Sequence, residues 1–224
     1  MKKAEREALK IRRLKEMKAF DGQFAEAGRG FVCGVDEVGR GPLAGPVLAA
    51  AVVLPDGFDI PGIDDSKKLS DKKRREFNDI ILERATAYGF GIRDNSVIDE
   101  INILNAAKEA MYDAVREAAD MLQTRRGSEP GFVLFDAVSL ENFPYPQMAI
   151  VKGDQKSLSI AAASIIAKVR RDDLMIKYAE DYPGYGFERN KGYGTKAHYE
   201  GIRQYGITPI HRKSFLKNFF EKSK

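Results

Sequence analysis

A strand-like run that ends in two acids and runs into a glycine-rich loop is the feature that most constrains the fold of this 224-residue chain. Residues 31–38 read FVCGVDEV, which is apolar and β-rich, and residues 46–55 read PVLAAAVVLP, with a proline at each end. Two such runs separated by a short loop that contains glycine are typical of neighbouring strands in a hairpin. The sequence therefore predicts a sheet whose first two strands pair with each other.

The rest of the chain alternates helical periodicity with further strand-like runs. Ser70 has the residue type of an N-cap ahead of the first of these helices. Alternating helices and strands are typical of an α/β domain, here with a mixed sheet flanked by helices and a small helical extension at the C-terminus. The predicted elements are a helix over 71–84, a strand over 86–93, helical pieces over 96–126, buried strands over 132–136 and 147–154, and helices over 157–182 and 196–204.

Both ends of the chain are basic. Residues 1–18 hold eight Lys or Arg against three acids, and residues 212–224 hold five against one. Basic ends favour a polyanionic partner such as nucleic acid, although a solvated face has the same composition. We divide the chain into a basic helical extension over 1–30, a catalytic domain over 31–182 and a C-terminal helical substrate-binding extension over 183–224. In the first segment, Leu9, Ile11, Leu14 and Met17 predict an amphipathic helix over 4–19 that breaks in the glycine-containing stretch after it.

Several classes of protein are disfavoured. No apolar run approaches the roughly 20 residues needed to span a bilayer, and the N-terminus lacks a secretory pattern. Cys33 is the only cysteine, so an intrachain disulfide is impossible, and with only His198 and His211 beside it a closed zinc site is disfavoured. His211 is interpreted as structural. We predict a cytoplasmic protein without a membrane partner.

Four acids fall at or just past the C-terminal ends of predicted strands: Asp36, Glu37, Asp136 and Asp154. Ligands of open α/β sheets bind at that edge. Carboxylates gathered there repel each other unless a hard divalent cation lies among them, and oxygen ligands favour Mg²⁺ or Mn²⁺ over Zn²⁺. Two such ions, about 3.5–4 Å apart, can support in-line phosphoryl displacement without a covalent nucleophile.

Each acid taken alone also fits a solvated loop. Adjacent residues on a regular strand point to opposite faces, so Asp36 and Glu37 share one site only under one of two conditions. Either the strand bends at Val38 and Gly39, or Glu37 acts through water or its backbone carbonyl.

The motifs GVDEVGRGPLAGPV, VKGD, SIAAASIIAKVRRD and NKGYGTKAH, in this order, closely resemble the bacterial ribonuclease HII family of type 2 ribonucleases H. The resemblance runs from about Phe31 to about Phe215. The sister family, ribonuclease HIII, carries Gly-Thr-Gly where this chain has Gly-Arg-Gly, and a large N-terminal domain. The resemblance implies a ribonuclease H-like fold with a C-terminal helical extension, and a monomer.

The resemblance also implies an activity. The family cleaves the RNA strand of RNA–DNA hybrids and cuts on the 5′ side of a single ribonucleotide embedded in duplex DNA, a step of ribonucleotide excision repair. The products carry a 3′-hydroxyl and a 5′-phosphate. By motif, Asp36, Glu37, Asp136 and Asp154 are the catalytic acids that bind two Mn²⁺ or Mg²⁺ ions. Ala137 departs from the family pattern, because many relatives carry glycine after this aspartate.

By the same resemblance, Gly39, Arg40 and Gly41 form the loop that senses the 2′-hydroxyl, and Tyr193 is its partner across the junction. The chemistry is compatible: glycines let backbone approach a ribose, arginine can hold a phosphate, and tyrosine offers a ring and a hydroxyl. Lys168 is a further substrate-binding prediction, on a helix whose N-terminus near residue 157 could face a phosphate. The alternatives are ordinary turn glycines, an arginine that only neutralises a neighbouring acid, and a packing tyrosine.

Two other functions remain open from the residues. Another nuclease of the same fold, such as a resolvase or a ribonuclease H that needs longer RNA, would not need the Gly-Arg-Gly loop with Tyr193. A non-catalytic nucleic-acid-binding protein would keep the basic ends but would have no use for clustered acids, which repel phosphate.

Overall fold

The structure is a computed structural model that describes residues 3–28, 30–64 and 66–221. Its strands are β1 (Phe31–Val38), β2 (Val47–Val53), β3 (Ala87–Arg93), β4 (Pro130–Asp136) and β5 (Gln147–Ile150). Its helices are α1 (Lys3–Gly28), α2 (Asp71–Arg84), α3 (Asn95–Ile101), α4 (Ile103–Arg126), α5 (Leu158–Asp181), α6 (Phe187–Asn190), α7 (Lys196–Tyr205) and α8 (Lys213–Glu221). The predicted N-cap is confirmed, since the Ser70 hydroxyl accepts a hydrogen bond from the Lys73 amide at 3.3 Å.

Within the described ranges, the five strands form one mixed sheet in the order β3-β2-β1-β4-β5. The pairs β1–β2 and β2–β3 are antiparallel, which confirms the predicted hairpin, whereas β1–β4 and β4–β5 are parallel. Because β1, β4 and β5 run in the same direction, their C-terminal ends meet at one edge of the sheet. That edge is where the sequence places its acids.

Helices cover both faces of the sheet. On one face α4 packs against alternate strand residues that include Cys33, Val35 and Phe135. On the other face α1, α2 and α5 share a core with β2. The N-terminus of α5 approaches β1 so closely that a Cβ at Gly34 would lie 2.2 Å from the Ser159 carbonyl carbon, and only glycine fits there.

The N-terminal helix is longer than the sequence predicted, and its apolar stripe is different. Helix α1 does not break after residue 19 but continues to Gly28, because Phe20 and Phe24 pack on β4. Leu14 and Met17 are buried in the core, as expected. Leu9 and Ile11, the other members of the predicted stripe, are 55% and 45% exposed, so that part of the prediction is wrong.

The last strand is shorter and less buried than predicted. Strand β5 ends at Ile150 rather than at Asp154, and Met148 on it is 46% exposed because β5 lies at the edge of the sheet. Asp154 lies instead on a single 3₁₀ turn, Gly153–Gln155, that connects β5 to α5. The edge position explains the difference, because an edge strand has only one neighbour to hold its end in register.

The C-terminal part of the chain forms a small helical layer. A separate apolar cluster joins α5, α6, α7 and α8 to the loop after β1 through Leu43, Ala44, Met175, Tyr185 and Phe187. The expected C-terminal helices are therefore present, and they rest directly on the loop that follows the acids. None of the helices that the structure describes is long and apolar enough to cross a membrane.

Candidate active site

Two of the predicted acids are neighbours across the sheet. Val35 pairs with Phe135 in the parallel β1–β4 ladder, so the next residues, Asp36 and Asp136, lie side by side at the C-terminal edge. The Asp36 carboxylate accepts a hydrogen bond from the Glu37 amide at 2.8 Å. Asp136 Oδ1 accepts one from the Gly153 amide at 2.7 Å, which attaches the following 3₁₀ turn to β4.

That attachment brings the third aspartate to the same edge. Asp154 follows Gly153 in the 3₁₀ turn and is only 6% exposed. The turn is entered through Lys152, whose φ of 56° lies in the left-handed region. Asp154 thus reaches the edge by a tight turn rather than from the end of a strand.

Strand β1 does not bend in a way that would bring Glu37 beside Asp36. Strand β1 pairs regularly with β2 through Val38, and the chain turns only at Gly39, where φ is 95°. The expected bend therefore comes after both acids and does not bring Glu37 to the face of Asp36. Its Oε1 instead pairs with the Arg40 guanidinium at 3.3 Å, while Oε2 is buried without a hydrogen-bond partner.

The charges of the acids act on one another. Burial, and then the charges of Glu37, Asp136 and Asp154, raise the pKa of Asp36 well above its ordinary value. Burial also raises the pKa of Glu37, while Arg40 lowers it and Asp136 raises it further. The four acids therefore form one electrostatic group, which no sequence pattern by itself could establish.

The donor chemistry of this group fits a hard divalent cation. All of its side-chain donors are oxygens, which Mg²⁺ and Mn²⁺ prefer, and the buried Oε2 of Glu37 is a donor left unsatisfied by the protein. Among the residues that the structure describes, no three acids, histidines or cysteines converge to a complete coordination site. Binding a cation would therefore require the carboxylates to draw closer together, which their mutual repulsion opposes until the cation supplies positive charge.

Ala137 retains the backbone path despite lacking the expected glycine. Its φ is 55°, in the left-handed region that disfavours a side chain. Its amide still donates to the Ile150 carbonyl at 3.1 Å. The departure from the family pattern therefore leaves Asp136 in position at some cost in backbone strain.

The Gly-Arg-Gly loop follows the acids and is fixed by a buried arginine that the sequence analysis did not single out. The Arg212 side chain is fully buried and donates to the carbonyls of Gly39 at 2.6 Å, Arg40 at 2.9 Å and Gly45 at 2.8 Å. Burial lowers its pKa to about 9. Every acceptor in this set is a backbone carbonyl, so the guanidinium serves to hold the shape of the loop.

A second buried arginine holds the other end of the same loop. Arg171 on α5 donates to the carbonyls of Pro46 at 2.9 Å, Lys191 at 3.0 Å and Ala44 at 3.3 Å. Its Nε would lie 2.2 Å from a Cβ at Gly39, so the side chain of any other residue at position 39 would displace it. The sequence gives one indication of these arginines, which is that they are basic residues in otherwise apolar segments. It does not indicate the direction in which their side chains point.

Tyr193 lies beside this loop. A Cβ at Gly41 would lie 3.5 Å from the Tyr193 ring, an ordinary contact distance, and the tyrosine side chain is 43% exposed. Its backbone carbonyl contacts Nδ1 of His198 at 3.0 Å. The structure therefore places Tyr193 beside the loop that the sequence paired it with, and leaves the tyrosine partly exposed to solvent.

Lys168 is differently placed. Its ammonium group pairs with Asp172 on the same helix at 2.7 Å, and its side chain is 20% exposed. The N-terminus of α5 is also occupied, since Asp21 of α1 accepts hydrogen bonds from the Ser159 amide at 2.9 Å and hydroxyl at 2.8 Å. The expectation that this helix end faces a phosphate is wrong, because a carboxylate of the protein already fills that position.

The comparisons with known proteins agree with this geometry. The family model described as Ribonuclease HII matches residues 33–219. The "Ribonuclease HII" of Caldanaerobacter subterraneus subsp. tengcongensis is 48% identical over 211 residues, an alignment that covers 94% of this chain and 84% of the relative. The chain belongs to the ribonuclease HII family.

Solved structures share the fold. The ribonuclease H2 from Pyrococcus horikoshii OT3 has a TM-score of 0.67 and 26% identity, covering 86% of this chain and 98% of that one. Bst-RNase HIII in complex with Mn²⁺ has a TM-score of 0.56 and 20% identity, covering 83% and 64%, which shows the fold alone. The ribonuclease H-like mixed sheet and the family resemblance are thereby confirmed. The chain is a metal-dependent ribonuclease H, a hydrolase that cleaves RNA in RNA–DNA hybrids.

Proposed function

We propose that this enzyme also cuts duplex DNA on the 5′ side of a single embedded ribonucleotide, leaving a 3′-hydroxyl and a 5′-phosphate. The observation that carries the proposal is the position of Tyr193 beside the Gly39–Gly41 loop that follows the Asp36 and Glu37 acids. A Cβ at Gly41 would lie 3.5 Å from the Tyr193 ring. A loop and a tyrosine that together bind one ribose can recognise RNA at a single position. A site that recognises the shape of a hybrid helix must contact many nucleotides.

The loop and the tyrosine supply different contacts to that ribose. Gly41 has no side chain between the backbone and the sugar, so backbone groups of the loop can approach the 2′-hydroxyl there. The Cβ position of Gly39 faces Arg171 instead, so this glycine contributes the turn of the loop. Tyr193 offers a flat ring to the sugar or base and a hydroxyl to the 2′-oxygen. Arg40, which is 45% exposed and pairs weakly with Glu37, can exchange that partner for a phosphate of the substrate.

The acids Asp36, Glu37, Asp136 and Asp154 hold the divalent ions in this proposal. When bound, two such ions supply activation of water and charge neutralisation at the leaving 3′-oxygen, as in other two-metal phosphodiester hydrolyses. The carboxylates orient these charges at the sheet edge beside the scissile phosphate. Lys168 is a weaker member of the proposed substrate set, because Asp172 already neutralises it.

The surrounding assignments form part of the same proposal. Residues 31–182 act as the catalytic domain, and residues 183–224 carry Tyr193 to the substrate; residues 222–224 lie outside those the structure describes. The enzyme works as a cytoplasmic monomer in ribonucleotide excision repair.

The test uses a DNA duplex with one ribonucleotide, labelled at the 5′ end, incubated with Mn²⁺ or Mg²⁺ and in parallel with chelator. We expect one labelled product that ends just before the ribonucleotide, and a DNA polymerase should extend it because its 3′-hydroxyl is free. An all-DNA duplex of the same sequence is the control. Cleavage of a long RNA–DNA hybrid without cleavage at the single ribonucleotide would overturn the proposal and favour a ribonuclease H that requires longer RNA.

A further inference from the structure

The two histidines of the chain form a buried chain of hydrogen bonds that ends at Tyr193. His198 is fully buried and His211 is 1% exposed, and their Nε2 atoms lie 3.0 Å apart. Nδ1 of His211 accepts from the Thr208 amide at 2.9 Å. Nδ1 of His198 lies 3.0 Å from the Tyr193 carbonyl oxygen.

Both ends of this chain determine where the protons lie. A backbone amide can only donate, so Nδ1 of His211 is an acceptor and its proton is on Nε2. That Nε2–H then donates to Nε2 of His198, whose own proton must be on Nδ1. The Tyr193 carbonyl can only accept, so this contact also requires the proton of His198 to be on Nδ1. The two imidazoles are therefore neutral and hold opposite tautomers.

The surroundings hold both imidazoles in the neutral form. Their rings pack among Tyr185 and Phe187, with ring centroids 5.1 Å apart for Phe187 and His198 and 5.3 Å apart for Tyr185 and His211. Burial lowers the pKa of His198, and burial together with the neighbouring His198 lowers the pKa of His211 to about 4. A proton added to His198 would go on Nε2 and face the Nε2–H of His211 at 3.0 Å, whereas one added to His211 would go on Nδ1 and face the Thr208 amide at 2.9 Å. Protonation of either ring therefore breaks one hydrogen bond of the chain.

The segment that carries His211 also holds the opposite side of the ribose site. The next residue, Arg212, donates to the carbonyls of Gly39 and Arg40. One short segment, from Thr208 to Arg212, thus contacts the sensing loop directly and the Tyr193 backbone through His198. Together with Arg171, which bonds to carbonyls of both the loop and Lys191, this segment fixes the loop and the Tyr193 segment relative to each other.

We infer that His198 and His211 are positioning residues that fix Tyr193 against the Gly39–Gly41 loop and so set the discrimination for a single ribonucleotide. The inference rests on the proposed function, because it assigns the histidines a role through Tyr193. Neither imidazole reaches the substrate in this arrangement. Of the imidazole nitrogens, Nδ1 of His198 is the one that reaches Tyr193, whose carbonyl also accepts from the Thr195 amide at 2.8 Å. The remaining contacts of the two rings keep the His198 proton on Nδ1.

The first test concerns the wild-type protein alone and needs no variant. With only two histidines in the chain, a ¹⁵N-labelled sample shows just two imidazoles by NMR. We expect one ring protonated on Nδ1 and the other on Nε2 at pH 7. Two rings with the same tautomer, or a charged form of either ring, would contradict this chain of hydrogen bonds.

The second test separates the two nitrogens of His198. In His198→Asn the side-chain amide lies near the position of Nδ1 and can still donate to the Tyr193 carbonyl. In His198→Gln the amide lies near Nε2 and that donor is lost. The readout is the rate of cleavage at a single ribonucleotide divided by the rate within a long RNA–DNA hybrid. We expect His198→Gln to lower this ratio by about tenfold and His198→Asn by less than about twofold, since one hydrogen bond is at stake.

A double variant distinguishes positioning of Tyr193 from general loosening of the fold. In a Tyr193→Ala background, His198→Gln should lower the ratio no further, because the side chain that it positions is gone. Additive losses, or equal effects of the Asn and Gln variants, would overturn the inference. If the wild-type enzyme does not cut at a single ribonucleotide, the proposed function fails. The tautomers seen by NMR would still show whether the chain of hydrogen bonds through the two histidines exists.

Discussion

Asp36 carries the largest electrostatic cost in the active site. It is held beside three other acids, and burial and these neighbours raise the pKa of its carboxyl. A group with a raised pKa in the folded state opposes folding at any pH where it is ionised. Asp36 therefore lowers the stability of the folded chain, a cost that its proposed role as a metal ligand entails.

The Asp36→Asn variant should be more stable than the wild type in chelator, by about 1 kcal/mol at pH 7, and should lose most of its nuclease activity. Asparagine keeps the shape and removes the charge. The gain should shrink as the pH falls through the raised pKa of Asp36 toward its ordinary value of 3.8, because the wild-type carboxyl is then protonated as well. Denaturant unfolding at several pH values measures the difference in unfolding free energy between the variant and the wild type.

The control for that variant is Asp120→Asn, on the exposed side of α4, which should change stability by less than about 0.5 kcal/mol. Addition of Mn²⁺ should raise the melting temperature of the wild type but not that of Asp36→Asn. Full activity in Asp36→Asn would contradict its role as a metal ligand.

Tyr193→Ala should reduce cleavage at a single ribonucleotide by roughly tenfold or more, since loss of an aromatic contact to a nucleotide costs about 1–3 kcal/mol. Binding to all-DNA duplex should change much less, because the backbone of residue 193 stays in place. Tyr112→Ala is the matched control, with the same 43% exposure on α4. Equal losses in cleavage and in duplex binding would indicate that Tyr193 is only structural.

Ala137→Gly should stabilise the protein by about 1 kcal/mol, because glycine accepts a φ of 55° without the Cβ clash of the left-handed region. The side chain of Ala137 is exposed, so little packing is lost. Thermal unfolding measures the change. A loss of stability would show that the backbone at this position is not strained.

At the scale of elements, α1 packs against the core that it shares with α2 and α5. Its inner face places Met17 in the core beside α2 and α5, and Asp21 caps the N-terminus of α5. The Arg13 guanidinium donates to the carbonyl of Gln155, the residue after Asp154. The helix therefore supports the segment that carries Asp154.

Met17→Ala should cost about 2–4 kcal/mol of unfolding free energy, because it leaves a cavity where α1 packs against the core. Ile11→Ala, on the exposed side of the same helix, should cost less than about 0.5 kcal/mol. Chemical denaturation of the two variants gives the comparison. Similar small effects from both would mean that α1 contributes little to the fold.

At the scale of the whole molecule, charge is distributed unevenly around the active edge. The acids lie at the C-terminal edge of the sheet, and α1, through Arg13, brings a basic and exposed segment close to the Asp154 turn. The net charge is only +4, so attraction to nucleic acid depends on this placement and not on the total.

Replacing Arg6 and Arg12 by glutamine should lower the salt dependence of duplex binding, with the slope of log K against log salt falling by roughly one to two. Both side chains are exposed. The matched control replaces Arg116 and Arg126 on α4, the latter near the start of β4 and so at the opposite edge. The same slope in both double variants would reject contact between α1 and the duplex.

Much of the fold and of the site could be predicted because it depends on local pattern. The hairpin of β1 and β2, the N-cap at Ser70 and the acids at one sheet edge follow from periodicity and residue type. The four motifs that resemble the family, in their order along the chain, could likewise be recognised from residue type alone.

Other features depended on partners distant in the chain, and these only the tertiary structure decided. Helix α1 continues past residue 19 because Phe132 on β4 packs against it, and Asp154 reaches the edge because Gly153 bonds to Asp136. From the sequence, Arg212 is one of several basic residues at the C-terminus and His211 is only a structural histidine. The fold gives them their partners, backbone carbonyls for Arg212 and aromatic rings for His211. Sequence alone determines which groups are available, whereas burial and direction, which set their pKa and their partners, arise only when distant segments pack together.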